Sequence, residues 1–181
     1  SGISIGEAAG FALLERIADA SAPQAGAVRL VGFGESSDAY HMSSPHPEGV
    51  GAALAMRKAL NAAGLKPSEI DYVNLHGTAT IVGDSAEDRG IVDVFGEAGT
   101  RCSSTKGYTG HTLGASGIIE TVISQLCIEH GFLPSSPTTT ELDPAIRCRY
   151  VADGGEQRVR RVMSNSFGFG GSNCSLILEA A

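Results

Sequence analysis

The order strand, histidine-containing loop, helix occurs twice in this 181-residue chain, and it constrains the fold more than any other feature. The first unit places an apolar segment at residues 72–75 before a helix predicted over 84–95. The second places a strand-like segment at 102–104 and a loop at 106–111 before a helix predicted over 114–130. Because such units cover a sheet through right-handed crossovers, the pattern predicts a layered α/β domain.

The flanking residues supply further strands and one more helix. Apolar residues with a helical period begin at Val50 and stop near Gly64. Strands predicted at 162–166 and 175–179 are joined through a glycine-rich loop. The other predicted segments are strands at 11–14 and 28–33 joined by a turn of small residues at 21–26, a polar surface loop at 36–49, a polar connection at 134–144 and a strand at 147–152.

Composition indicates one folded domain over residues 1–181, with 42% hydrophobic and 18% charged residues. A formal net charge of -7 argues against nucleic acid or an anionic membrane as the main partner. The sequence contains neither a run of about 18 apolar residues nor a signal-peptide pattern. We therefore expect a cytoplasmic protein.

The four cysteines are predicted to be reduced core thiols. Cys102, Cys127, Cys148 and Cys174 show no CxxC pair, and each lies in an apolar or strand-like context. A nucleophilic thiol needs a helix N-terminus or a cationic neighbour that stabilises the thiolate. None of the four clearly has one, so we expect no nucleophile in this chain.

Three motifs point to a family. They are His76-Gly-Thr-Ala-Thr80, Lys106-Gly-Tyr-Thr-Gly-His111 and Asn165-Ser-Phe-Gly-Phe-Gly-Gly-Ser-Asn173. Together, and in this order, they resemble the C-terminal half of a β-ketoacyl-acyl-carrier-protein synthase, an elongating condensing enzyme. The resemblance covers the chain from end to end.

The resemblance implies a thiolase-like fold, in which each of two similar halves has a mixed five-stranded sheet with helices packed on both faces. It assigns the chain to the second half and implies that the N-terminal half, with the family's nucleophilic cysteine, is absent. Residues 2–10 resemble the opening strand of the second half, and residues 36–45 resemble a mobile loop beside the active site.

The implied reaction is a decarboxylative Claisen condensation of malonyl-carrier protein with an enzyme-bound acyl thioester, in fatty acid or polyketide elongation. The isolated chain is expected to be inactive. By resemblance, His76 and His111 donate hydrogen bonds to the enolate oxygen, and loss of one such donor costs about 100- to 1000-fold in rate. Lys106 orders this network, and Thr78 and Thr80 bind the phosphopantetheine arm. The alternatives are two core histidines and a surface lysine.

Glu120 is singled out by its surroundings in the sequence. Ile119, Val122 and Ile123 leave the helix little polar surface, so it is predicted to be buried on nearly all sides. A buried carboxylate without a partner is costly, and a cationic partner or polar network is therefore expected. Lys106 is the natural candidate.

The glycine-rich loop lies between two predicted strands and does not open a helix, which excludes a dinucleotide phosphate cradle. By resemblance, Phe169 is a gate to the acyl pocket, and Gly168, Gly170 and Gly171 let it swing. A plain hairpin with Phe169 in the core remains the alternative.

No metal site is predicted, because the histidines and cysteines have neither HExxH nor paired spacing. No cofactor is expected beyond the phosphopantetheine arm of the acyl carrier protein. The implied partners are the N-terminal half, the acyl carrier protein and a second subunit in a homodimer or heterodimer. A non-catalytic chain-length-factor-like subunit and a thiolase-type acyltransferase remain alternative functions.

Overall fold

The computed structural model describes residues 2–16 and 27–181. Its strands are β1 (Val28–Ser37), β2 (Tyr72–Asn74), β3 (Arg101–Ser103), β4 (Phe132–Leu133), β5 (Gly155–Glu156), β6 (Arg161–Gly168) and β7 (Ser172–Ala180). Its helices are α1 (Val50–Ala63), α2 (Ile81–Phe95), α3 (Lys106–Thr109) and α4 (Ser116–His130). Short 3-10 turns lie at Pro67–Glu69, Leu113–Ala115 and Phe169–Gly171.

Five strands form one mixed sheet in the order β1-β7-β6-β2-β3. Strand β2 pairs in parallel with both β3 and β6, whereas β7 pairs antiparallel with β1 and β6. Strands β4 and β5 pair separately as a two-residue ribbon. The predicted mixed five-stranded sheet is therefore confirmed.

The two faces of the sheet bury different cores, because neighbouring residues of a strand point to opposite sides. Val73 and Met163 pack with apolar residues of α1 and α2. Their neighbours Tyr72 and Val162 pack with Cys127 of α4. Helices therefore cover both faces, as predicted.

Helix α4 differs from the prediction that it is buried on nearly all sides. Its buried residues are Ser116, Glu120, Ser124 and Cys127, which recur at helical spacing and form one small and polar face. Val122, on the outward surface, keeps 39% of its area exposed. The prediction was wrong because the apolar residues of this helix do not all pack inside this chain.

The N-terminal residues form no strand within the described structure. Residues 11–14 were predicted to pair with the strand at 28–33, but Phe11 is 97% exposed and β1 pairs with β7 instead. The predicted turn at 21–26 lies outside the described residues. Residues 2–10 have no regular secondary structure apart from a single bridge, from Ile5 to His111. The predicted opening strand is therefore reduced to one bridge.

The strand predicted at 147–152 is also reduced to one bridge, between Tyr150 and Cys102. The buried carboxylate of Asp88 accepts the backbone N–H groups of Arg147 and Cys148, at 3.0 and 2.8 Å. The Tyr150 N–H then bonds to the Cys148 carbonyl at 2.7 Å, which forms a tight turn. The Asp88 side chain and this turn therefore occupy backbone N–H and carbonyl groups that would otherwise pair with a neighbouring strand.

Among residues 2–16 and 27–181, no helix combines the length and the apolar character needed to cross a bilayer.

Candidate active site

The motif residues meet at one edge of the sheet. His76 follows β2, Lys106 follows β3, and Phe167 lies near the end of β6. Because these three strands are parallel, their carboxyl ends share one edge. Sites in open α/β sheets form preferentially at such an edge.

The two histidines are direct neighbours. The ring centroids of His76 and His111 are 5.3 Å apart, with the planes at 87°. The Phe167 ring lies 5.7 Å from the His76 ring and forms an apolar wall beside it. Both imidazoles are only half-buried, so a ligand at the sheet edge can reach them.

Both imidazoles are neutral at physiological pH. Burial, with a further contribution from the Lys106 charge, lowers the pKa of His76 to about 3. Burial and Lys106 also lower the pKa of His111. A neutral ring carries one N–H donor and one acceptor nitrogen, which suits stabilisation of an oxyanion without proton transfer.

A hydroxyl group holds the ring of His111. Thr112 Oγ1 donates to Ser116 Oγ at 3.4 Å, and Ser116 Oγ lies 2.8 Å from His111 Nδ1. The Ser116 hydroxyl can donate to Nδ1 or accept from it, and the contact orients the ring in either tautomer. When Ser116 donates, the ring proton of His111 lies on Nε2, which is then the donor.

Lys106 and Glu120 form a buried ion pair through Lys106 Nζ and Glu120 Oε1, which confirms the partner predicted for this carboxylate. Only 8% of Lys106 and 2% of Glu120 is exposed, so the alternative of a surface lysine is wrong. Burial raises the pKa of Glu120 to about 7, against the opposing effect of the Lys106 charge. The pair fixes the loop after β3 to helix α4.

We expect Glu120→Gln to flatten the pH dependence of stability. The folded-state pKa of Glu120 exceeds the ordinary 4.5, so the folded protein binds this proton more tightly than the unfolded chain does. The resulting contribution to the free energy of unfolding is fully present below pH 4.5 and is lost as pH rises through about 7. The loss is roughly 3 kcal/mol, since each unit of pKa is worth about 1.4 kcal/mol. Urea unfolding at pH 4.5 and pH 8 measures it.

Glu97→Gln is the matched control for this substitution. Glu97 pairs with Arg147 at 3.2 Å on the surface, where the two side chains are 62% and 52% exposed. An exposed pair contributes at most about 1 kcal/mol, so this variant should keep the wild-type pH slope. Identical slopes in all three proteins would show that Glu120 does not titrate as proposed.

Glu87 is a site residue that the motif reading missed. Its carboxylate accepts the N–H groups of His76 and Gly77 at 2.9 and 2.8 Å, and it therefore fixes the turn that carries His76. The Ser104 hydroxyl holds the same turn through the Gly77 carbonyl at 2.7 Å. Gly77 has a φ of 38°, a left-handed value that favours glycine. Burial raises the pKa of Glu87 to about 7.

The sequence held a signal for Glu87 that was not used. Glu87 lies one helical turn before the buried Ile91, so it is an acid on the apolar face of α2. The same reasoning identified Glu120. Asp84, one turn earlier than Asp88, is a second missed carboxylate, and burial raises its pKa.

Thr78 and Thr80 lie beside each other at the rim of the site. Their hydroxyl oxygens are 3.1 Å apart, and both residues are half-buried. The arrangement leaves hydroxyl groups within reach of a polar chain entering from solvent. Their role in holding the phosphopantetheine arm remains a prediction.

The glycine-rich loop connects β6 to β7 and holds Phe169 out in solvent, where 86% of it is exposed. The alternative of a hairpin with Phe169 in the core is therefore wrong. Gly170 and Gly171 have φ values of 81° and 79°, and added Cβ atoms at Gly168 and Gly170 would meet open space or only a distant contact. Gly171 is buried, and an added Cβ there would lie 2.9 Å from Asp38 Cβ, so the open space is confined to Gly168 and Gly170.

Asp38 links this loop to the segment after β1. Its backbone N–H bonds to the Gly171 carbonyl at 2.8 Å, and its Oδ1 accepts from Asn173 Nδ2 at 2.9 Å. Its Oδ2 accepts the His46 N–H at 3.0 Å. The loop at 36–45 and the glycine-rich loop therefore form one hydrogen-bonded unit.

The four cysteines are poorly placed to accept an acyl group from a carrier-bound substrate. Cys102, Cys127 and Cys148 are buried and Cys174 is half-buried. Burial raises the pKa of Cys127 to about 12 and raises that of Cys174 as well. Within the ranges 2–16 and 27–181, no three His, Cys, Asp or Glu side chains are grouped in a way that could hold a metal ion.

Comparison with known proteins gives matches along the chain. The family model described as "Beta-ketoacyl synthase, C-terminal domain" matches residues 27–140. The mitochondrial 3-oxoacyl-[acyl-carrier-protein] synthase of Arabidopsis thaliana is 44% identical over 186 residues, which cover 99% of this chain and 40% of that protein.

Solved structures agree. A chain from the complex of a ketosynthase with its chain length factor from Xenorhabdus doucetiae is 49% identical, with a TM-score of 0.80 over 85% of this chain and 39% of that one. A chain from a type II PKS complex, in which an acyl-carrier protein is bound to its ketosynthase, is 29% identical, with a TM-score of 0.81 over 85% of this chain and 38% of that one.

The curated relative is therefore more than twice as long as the part that this chain matches, since the match covers 40% of it. The mixed sheet with helices on both faces corresponds to the C-terminal half of the thiolase-like ketosynthase fold. The family match, the identity to a 3-oxoacyl synthase and the shared fold lead to one conclusion. The chain belongs to the β-ketoacyl synthase family, as its C-terminal domain.

Proposed function

We propose that this chain supplies the decarboxylation centre of a β-ketoacyl-acyl-carrier-protein synthase. The observation that carries the proposal is the pair of neutral imidazoles, 5.3 Å apart, beside a buried Lys106–Glu120 pair. Such donors stabilise negative charge that develops on one oxygen atom, because they are already oriented before the reaction begins. The substrate class is a malonyl thioester carried by a phosphopantetheine arm.

In the proposed reaction, the thioester oxygen of the malonyl group lies between His76 and His111. The bond to the malonyl carboxylate breaks, carbon dioxide leaves, and the electron pair moves into an enolate whose oxygen accepts both N–H groups. The nucleophilic carbon then attacks an acyl thioester on the catalytic cysteine. A carbon–carbon bond forms, and the cysteine thiolate leaves.

Lys106 acts through charge and position in this proposal. Burial is the main cause that lowers the pKa of both imidazoles, and the Lys106 charge adds to it, so the rings stay neutral and do not become acids. Its pair with Glu120 holds the backbone that leads to His111, five residues further on. Lys106 is therefore a positioning residue.

The nucleophile is proposed to come from the N-terminal half of the complete synthase. The raised pKa values of Cys127 and Cys174 support that assignment, because acyl transfer to a thiol requires the thiolate. Thr78 and Thr80 are proposed to bind the pantetheine arm, and Phe169 to gate the acyl pocket. The open space around Gly170 supports the gate.

The proposed partners are the N-terminal half, an acyl carrier protein and a second subunit. Phe11 and Leu13 are 97% and 86% exposed in a segment without regular secondary structure, and Val122 adds exposed apolar surface on α4. A large exposed apolar surface commonly marks an interface. We propose that the N-terminal half covers it.

A non-catalytic subunit resembling a chain length factor is the second candidate, favoured by the similarity to a complex that contains one. A subunit without chemistry does not need neutral imidazoles or a buried ion pair. His76, Lys106 and His111 are all present and assembled, which supports the catalytic assignment. A thiolase-type acyltransferase is less well supported, because the matching domain is that of a β-ketoacyl synthase.

We expect this chain alone to be inactive in condensation and to self-associate. Acylation needs a thiolate, and the exposed apolar residues, including Phe11, favour association. Transfer from labelled acyl-carrier protein and light scattering across a dilution series measure the two effects. Stable acylation of a cysteine in this chain, followed by ketoacyl product, would overturn the incomplete-site proposal. A monomer at every concentration would refute the proposed interface.

A further inference from the structure

Cys102 and Cys148 form a pair of neighbouring thiols that the proposed reaction does not use. Cys102 Sγ donates to Cys148 Sγ at 3.4 Å. Cys102 is fully buried and Cys148 is 7% exposed, and both belong to the core between the sheet and helices α1 and α2. The pair therefore joins β3 to the irregular segment before β5.

The backbone on both sides of the pair is fixed. Cys102 N–H bonds to the Arg149 carbonyl at 3.1 Å, and Val151 N–H bonds to the Cys102 carbonyl at 2.9 Å. Asp88 holds the Cys148 N–H at 2.8 Å. The two sulfur atoms are thus kept together by hydrogen bonds that do not involve the sulfur atoms.

The distance between the thiols is short enough for a covalent bond after a small movement. An S–S bond is about 2.05 Å long, so the sulfur atoms at 3.4 Å must approach by roughly 1.3 Å. Cys127 lies in the core on the opposite face of the sheet, so it does not compete for either thiol.

We propose that Cys102 and Cys148 form a reversible disulfide in the presence of a hydroperoxide. Cys148, the more exposed thiol, attacks the peroxide oxygen and becomes a sulfenic acid with release of water or alcohol. Cys102 then attacks the Cys148 sulfur, the S–S bond forms, and a second molecule, water, leaves. The two thiols lose two electrons, which reduce the peroxide.

The surroundings set the rate and the consequence of this reaction. Contact with Cys102, burial and the Asp88 carboxylate raise the pKa of Cys148, so oxidation is slow at neutral pH and accelerates as pH rises. The closed loop from residue 102 to 148 contains Lys106, His111 and Glu120. A cross-link that closes a long loop restricts the unfolded chain and stabilises the fold. Oxidation therefore protects this half of the proposed site against unfolding.

The test uses this chain, treated with hydrogen peroxide, alkylated in denaturant and digested with trypsin. We expect residues 102–106 to be linked to residues 148–149, with the intact mass lower by two hydrogen atoms and two of the four thiols lost. Dithiothreitol should restore all four thiols. The oxidised chain should melt roughly 5–10 °C higher than the reduced chain.

Cys148→Ser and Cys102→Ser should abolish the linked peptide and the rise in Tm, whereas Cys127→Ser should keep both. The peptide map of the wild-type chain decides the question even where a serine variant fails to fold. Separate oxidation of Cys102 and Cys148 to sulfinic acids, with no linked peptide at any pH, would overturn the proposal. So would a linked peptide that appears only after unfolding.

Discussion

His76→Ala and His111→Ala should each lower the rate of malonyl decarboxylation by roughly 100- to 1000-fold in the complete synthase. Each substitution removes one preorganised donor from the enolate oxygen. Acylation of the catalytic cysteine should remain measurable, because the proposed role of the histidines begins only after the acyl group is loaded. Release of labelled carbon dioxide and formation of acyl-enzyme measure the two steps separately.

His130→Ala is the control for these variants, since His130 is an exposed histidine in the last turn of α4, and the variant should retain wild-type rates. Circular dichroism of all three proteins checks that the fold survives. Full decarboxylation activity in both His76→Ala and His111→Ala would remove the oxyanion assignment. Loss of cysteine acylation in both would indicate a general disruption of the site.

Lys106→Met should destabilise the chain by about 3–5 kcal/mol, because it leaves Glu120 buried without its cation. The double variant Lys106→Met/Glu120→Gln should recover much of that loss, since the uncompensated buried charge is gone. Arg147→Met breaks the exposed pair with Glu97 and should cost no more than about 1 kcal/mol. Urea unfolding of the wild type, Lys106→Met, Glu120→Gln and the double variant gives the coupling energy directly.

The same double variant separates stability from chemistry. In the complete synthase it should stay folded yet decarboxylate roughly tenfold more slowly, the factor that corresponds to about 1.4 kcal/mol of lost transition-state stabilisation. Wild-type rates in a stable double variant would show that the Lys106 charge does not act on the imidazoles. Additive destabilisation by the two single changes would show that the pair is not coupled.

The helices illustrate what local sequence patterns predict well. The ends of α2 and α4 were predicted correctly, because Gly96 and Gly131 follow them with positive φ values. Helix α2 begins at Ile81, earlier than the predicted residue 84, and α4 begins at Ser116, later than the predicted residue 114. Thr80 and Ala115 precede the two helices without a side-chain cap, so the sequence carried no strong start signal there.

The errors arose where a distant group decides the outcome. Exposure does alternate along residues 147–150, as in a strand. However, Asp88, which is distant in sequence, accepts the backbone N–H groups of Arg147 and Cys148 that a strand would use for pairing. The periodicity of α4 showed an apolar helix but not whether its partner lies in this chain. Glu120 was found because it interrupts that apolar helix, and Lys106 because it belongs to the motif that ends at His111 and a buried carboxylate requires a cationic partner.

Helix α4 also bears on the order in which the complete protein assembles. Its inward face of Ser116, Glu120 and Ser124 already packs on the sheet of this chain, whereas Val122 and Leu126 are each 39% exposed. In the proposed whole synthase, the preceding half emerges from the ribosome first and is available to dock as soon as α4 forms. If docking is delayed, the apolar residues of α4 stay exposed to solvent, and partly assembled proteins with such surface aggregate or bind chaperones. The exposed face of α4 therefore makes correct folding depend on the order in which the two halves are synthesised.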